Sequence, residues 1–355
     1  MVPRIRLLTL SLLLVTLAGS PMAQTAPQFR TIYNFHGAHG VGPSTGVVIA
    51  GGALYGATGS GGSHDFGVVY SLTPPSSPGA PWTETVLYNF TGGNDGSSPT
   101  TLTIGLGGIL YGTTNNLSSA GVGTVFSLTP PAAAAGAWTY ALVHGFSGPD
   151  GGDPQGVVVQ NRNGAIYGTT SSGGAADLGV VFRLDPPASP ASAWKETVLY
   201  SFSGSDGAYP YAGVAIGKGE VLYGTTTAGA GTGYGNIYSL APPSSAGNGW
   251  TFNSLYAFTG PDGNTPYSGV TLGKGGVLYG TTLVGGTSDD GVVYSLTPPA
   301  APGGSWTETV LHSFSGSATD GSRPFSSLAI AKNGNLYGTT TATGTSSLGT
   351  VFVLY

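Results

Sequence analysis

His36 and His39 lie three residues apart, and His64-Asp65 follow in a second loop of the same stretch of chain. Imidazole and carboxylate together suit Zn²⁺ or another divalent ion, so His36, His39, His64 and Asp65 form a candidate metal site. Exposed loop histidines are the bland alternative, because a metal centre also needs groups that orient its ligands. A second set is Asp150, Asp206 and Asp262, each four residues after a phenylalanine and each followed by Gly, with Asp95 and Asp320 as shifted equivalents. Asp-Gly is first a turn signal. A ring of carboxylates also has weak Ca²⁺ chemistry, although no calcium-loop spacing accompanies it. No cofactor beyond such an ion is indicated.

Other chemistry is scarce. Glu84, Glu196 and Glu308 occupy one recurring position and are expected to be solvated charges on an outer strand. Paired carboxylates for glycoside hydrolysis have no clear counterpart. Gly42-Pro-Ser-Thr-Gly46 has the outline of a nucleophile elbow, but no helix follows it, and Gly217-Lys-Gly219 and Gly273-Lys-Gly275 lack the ending of a phosphate loop. An aromatic arc remains. The residues after the proline of each repeat are Ser44, Thr100, Gln155, Tyr211, Tyr267 and Phe325, and Tyr209 and Tyr234 lie in nearby loops. Rigid apolar rings with polar tips suit stacking on sugars, so Gln155, Tyr209, Tyr211, Tyr234, Tyr267 and Phe325 form a candidate ligand-binding site. Packing of those rings against the loops is the competing reading.

What must position these residues is a repeat. Leu-Tyr-Gly-Thr-Thr recurs with tyrosines at 55, 111, 167, 223, 279 and 337, in weaker form at the first. The units are about 56 residues long, each with four short strands separated by Gly, Pro, Ser and Asp turns. Apolar residues on both strand faces require a sheet covered on both sides. Six such units predict an all-β, six-bladed β-propeller of four-stranded blades over residues 24–355. The recurring tyrosines and the tryptophans 82, 138, 194, 250 and 306 are expected to pack between blades. The last unit stops at its third strand, while residues 29–35 have the pattern of a fourth. Pairing of 29–35 with 349–355 is therefore expected to close the ring.

Composition sets the address. Arg4 and Arg6 precede an apolar run from Leu7 to Ala18 and then small residues, the layout of a signal peptide over residues 1–23, cleaved near Ala23. That run is too short to span a bilayer. Without Arg4 and Arg6 the mature chain has 10 − 2 = 8 basic and 15 acidic residues, a net charge of 8 − 15 = −7, which disfavours nucleic acid and anionic membranes. With no cysteine, stability must come from packing and not from disulfides. The expected protein is exported, secreted or periplasmic, and monomeric.

Two resemblances add to this reading. Asn333-Gly-Asn-Leu-Tyr337 resembles the second strand of NHL-type propellers. Gly164-Ala-Ile-Tyr-Gly-Thr-Thr170, Leu178-Gly-Val-Val-Phe182 and Glu196-Thr-Val-Leu-Tyr-Ser-Phe202 resemble the GloVer tandem repeat of extracellular bacterial proteins. The GloVer resemblance covers nearly the whole mature chain and implies a surface or secreted protein with no assigned activity. Many members carry a C-terminal sorting signal; here Tyr355 follows no hydrophobic tail, so a freely secreted protein is expected. The functional expectation is a binding module for extracellular glycan or a protein at the channel mouth. A secreted metal-dependent hydrolase or lyase on that face, and a purely structural surface protein, are the alternatives.

Overall fold

Short runs of β-branched and aromatic residues between turns fold here into antiparallel ladders. The third repeat shows the pattern: Val159–Gln160 pairs with Ile166–Thr170, which pairs with Val180–Asp185, which pairs with Lys195–Ser201. Six antiparallel sheets follow one another along the chain, five ending on such an outer strand and the sixth on Thr350–Leu354, making an all-β, six-bladed β-propeller. The computed structural model describes residues 31–355 except 78, 117–121, 134–135, 190–191, 246–247, 302, 318 and 343–348. The chain divides into Met1–Ile32 and a unit from Tyr33 to Tyr355, which contains all the blades. The expected leader at 1–23 lies outside the described residues. Among the described residues no helix is long and apolar enough to cross a membrane.

The Tyr-Gly-Thr-Thr string is explained by what lies across it. In the third blade Gly168 is paired with Phe182, and a Cβ at Gly168 would sit 2.5 Å from the Phe182 ring. The glycine is therefore a seat for an aromatic ring of the neighbouring strand, not a means of bringing two backbones together. Tyr70, Phe126, Tyr238, Tyr294 and Phe352 lie over Gly56, Gly112, Gly224, Gly280 and Gly338 in the same way. Thr169, next in the string, donates its hydroxyl to the carbonyl of Ala212 in the fourth blade at 2.7 Å. Thr225 and Thr281 make the same bond to Ser268 and Ser326, so one repeated hydroxyl stitches successive inner strands.

Apolar clusters fill the seams between consecutive blades from first to sixth. As expected, a tyrosine of one blade meets a tryptophan of the next: Tyr55 with Trp138, Tyr111 with Trp194, Tyr167 with Trp250 and Tyr223 with Trp306, at 5.8 to 6.2 Å between ring centres. Each blade except the last ends on a buried phenylalanine such as Phe202, whose ring meets Tyr238 of the next blade.

Among the described residues the expected closing ladder is not formed. Residues 29 and 30 lie outside the described residues, and 31–35 carry no strand. Among the described residues the strand Thr350–Leu354 pairs with Leu336–Ala342 alone. Phe35 packs instead on Tyr70 of the first blade at 4.7 Å, with Tyr33 against it at 5.0 Å. This is the contact that Phe202 makes with Tyr238 of the next blade, so the segment keeps the ring of a fourth strand without a described backbone ladder. Beside that strand, Val351 is 80% exposed and Tyr337 41% exposed.

Candidate functional site

Of the six side chains that follow the recurring prolines, the blades bring three aromatic ones together. Tyr211 and Tyr267 stack with ring centres 4.6 Å apart and planes 14° from parallel. Tyr267 and Phe325 stack at 4.4 Å and 30°. This row borders a cavity of about 230 Å³ whose wall also includes Gln155, Ser268 and Ser327. Its floor is tight backbone. A Cβ on Gly156 would lie 2.3 Å from the Gly213 nitrogen, so only glycine lets these inner strands meet.

With a ring on each side, both faces of Tyr267 are occupied by its neighbours. At its two ends the row leaves a face of Tyr211 and a face of Phe325 not covered by another ring of the stack. Burial raises the Tyr267 hydroxyl above its ordinary pKa, with Tyr211 and Asp153 adding to the effect, so it remains a hydrogen-bond donor well above neutrality. Asp153 was not singled out from the sequence. Burial pushes its carboxyl up as well, and its backbone is left-handed with φ 58°. The signal available was position: Ser98, Tyr209, Thr265 and Arg323 precede the same proline and share that conformation.

Tyr209 and Tyr234 do not join the stack. Tyr209 occupies the left-handed pre-proline position and its carbonyl accepts from Thr227. Tyr234 covers the turn at Gly260, 3.6 Å from where a Cβ would stand, as Leu178 covers Gly204 one blade earlier. Both are repeat positions that hold loops.

The candidate metal residues do not converge. His36 and His39 adjoin with ring centres 4.7 Å apart, but His39 is engaged through Nδ1 with Glu84 at 2.6 Å. His64 bonds Ser63, and Asp65 accepts from the Gly61 amide at 2.9 Å. Asp177 and Asp289 do the same at Gly173 and Gly285, so Asp65 closes a loop common to several blades. Among the described residues no group of three or more His, Cys, Asp or Glu could hold a metal ion. The Asp-Gly set is likewise structural. Asp150 accepts from the Ser147 amide and hydroxyl and from His144. Burial alone would raise its pKa, but those bonds outweigh it and hold the carboxyl below the usual range.

One expectation is overturned. Glu84, Glu196 and Glu308 are not solvated: the Glu84 side chain is 2% exposed, and one carboxylate oxygen of each is buried without a hydrogen-bond partner. The outer strand of each blade lies against the loop of the blade before, so Glu196 faces Asp150 and Glu308 faces Asp262. Burial first, and those neighbouring carboxylates second, push both glutamates up to about 7.

These features define a class: a repeat β-propeller with three stacked aromatic rings beside a cavity. The sequence model of the Gloeobacter/Verrucomicrobia repeat family matches residues 21–142 and 133–352, and the chain belongs to that family. No curated protein matches the sequence. Among solved structures, the chain is similar to a candidate 6-phosphogluconolactonase from Bacteroides uniformis, with TM-score 0.53, 14% identity and 88% and 85% of the two chains covered. It is also similar to a candidate glucose dehydrogenase from Thermus thermophilus, with TM-score 0.51, 16% identity and coverage of 90% and 98%. The extracellular domain of a candidate one component system from B. thetaiotaomicron gives TM-score 0.53 and 10% identity over 91% of this chain and 34% of that one. At these identities the likeness is one of fold.

Proposed function

We propose that this protein is an exported binding module that takes a glycan at the aromatic mouth formed by Tyr211, Tyr267 and Phe325. The observation that carries the reading is the stacked row of three rings along a cavity in blades that elsewhere repeat one pattern. Non-repeated residues gathered at one rim are where a symmetric scaffold acquires a specific task. A cavity of about 230 Å³ is small beside the ~300–1,000 Å³ of most small-molecule sites, so it fits one sugar ring or a chain end. C–H faces of the sugar would rest on the outer ring faces, and its hydroxyls would meet the tyrosine tips, Gln155 and Ser268. Two of the structurally similar proteins are named for sugar chemistry, which agrees with this reading. Export is supported by the leader pattern at 1–23.

The test is a glycan array probed with the wild type and with Tyr211→Ala plus Tyr267→Ala. Both side chains are partly exposed, so the variant is expected to fold, and circular dichroism checks this. Retained glycans should bind the variant at least about tenfold more weakly, or ~1.4 kcal/mol. Unchanged retention, or no glycan retained by the wild type, would sink the reading.

A further inference from the structure

A second cavity, of about 540 Å³, opens at the other end of the inner strands, between the hairpin turns of the third and fourth blades. Gln160, Asn161, Arg162, Lys218 and Glu220 line it. Its size is within the usual range for a small-molecule site. Two observations single it out from the equivalent turns of the other blades, and a third, charge, is shared with Lys274 and Lys332 of the fifth and sixth blades.

The first is backbone strain. Glu220 stands where the other blades have Gly52, Gly108, Gly164, Gly276 and Gly334, and it adopts the same left-handed conformation at φ 61°. The second is a polar pair across the seam. Asn161 replaces the Gly105, Gly217 and Gly273 of other blades; it is 8% exposed and donates from Nδ2 to Glu220 Oε1 at 2.8 Å. Its Oδ1 is spent on the amides of Asn163 and Ala165, so the amide is fixed in orientation. The third is charge. Arg162 and Lys218 stand exposed at the rim, and none of the ion pairs among the described residues includes either. In a chain with 10 basic and 15 acidic residues, two cations and one carboxylate leave this pocket positive.

We propose that this pocket binds a small sugar acid. Arg162 and Lys218 hold its carboxylate, and Glu220 accepts hydrogen bonds from its hydroxyls. A simple anion such as sulfate would meet the Glu220 carboxylate at close range and be repelled, whereas a neutral sugar would leave both cations unpaired. Only a ligand that combines a negative group with hydroxyl donors satisfies the set. This site is separate from the aromatic mouth and does not depend on it.

Isothermal titration calorimetry with D-glucuronate, D-glucose and sulfate tests it. Glucuronate should bind saturably at millimolar concentration or tighter, with glucose and sulfate each about tenfold weaker. Arg162→Ala and Lys218→Ala, both exposed and outside the packed seams, should each weaken glucuronate about tenfold, while Tyr211→Ala plus Tyr267→Ala leaves it unchanged. The proposal is overturned by no saturable glucuronate binding, by sulfate binding as well as glucuronate, or by affinity indifferent to Arg162 and Lys218. Loss of binding only in the tyrosine variant would overturn it as well and place the sugar acid at the mouth.

Discussion

The third and sixth blades are written in nearly the same residues and live in different environments. Val181 and Val351 occupy one position of the third strand, yet the first is fully buried and the second is 80% exposed. Tyr167 and Tyr337, and Thr169 and Thr339, divide in the same way. The third blade has a fourth strand, Lys195–Ser201, and a following blade whose Leu222, Tyr238 and Leu240 cover it. Among the described residues the sixth has no such fourth strand. A cavity of about 260 Å³ beside its third strand is bounded by His312, Asp320 and Phe352. Burial in a repeat protein is thus a property of the neighbour as much as of the residue, and so is stability.

The comparison breaks most visibly at the aromatic ring seated on the glycine. Phe182→Ala, at a fully buried site, should cost ~3–5 kcal/mol, read as a fall in the urea midpoint. Phe352→Ala removes the same ring from a partly exposed site and should cost at least ~1 kcal/mol less. Equal losses would mean that the sixth blade is covered in solution as the third is. A smaller effect separates the valines. Val181→Thr puts a hydroxyl into an apolar seam with no partner and should cost ~1–3 kcal/mol, whereas Val351→Thr should stay within ~0.5 kcal/mol. A Val351→Thr penalty matching that of Val181→Thr would again show a covered edge.

The architecture was legible because the repeat declares itself: a string at fixed spacing with turn residues between strands leaves little choice of fold. The stacking of Tyr211, Tyr267 and Phe325 was legible for the same reason, since equal positions in consecutive blades must be neighbours. What the sequence hid depends on which side of a strand faces a seam. Glu84, Glu196 and Glu308 have the look of surface charges, and their burial follows only from the loop of the preceding blade lying against them. Tyr209 and Tyr234 have the look of mouth aromatics, and both hold loops. Phe35 makes with the first blade the ring contact expected of a fourth strand, and what the residues did not disclose is that 31–35 carry no ladder beside it.

The last contrast is electrostatic. In the third blade the outer strand presses Glu196 toward Asp150, while in the sixth no described strand brings a carboxylate toward Asp320. Hydrogen bonds from Ser315 and His312 outweigh burial there and hold the Asp320 carboxyl below its usual range. Burial and Asp150 push Glu196 up to about 7, and Glu308 is raised to about 7 in the same manner. An ordinary glutamate in the unfolded chain titrates near 4.5. Between these two values the folded protein holds protons that the unfolded chain has released, so stability declines as pH rises from about 4.5 through about 7. Glu196→Gln plus Glu308→Gln removes both protons from the balance. Thermal melts should then show the variant gaining on the wild type as pH rises across that window, with the gap constant above it. A gap that does not change with pH would mean that Glu196 and Glu308 stay ionised in the fold, and that the carboxylate seam of the third blade is no different from the open one of the sixth.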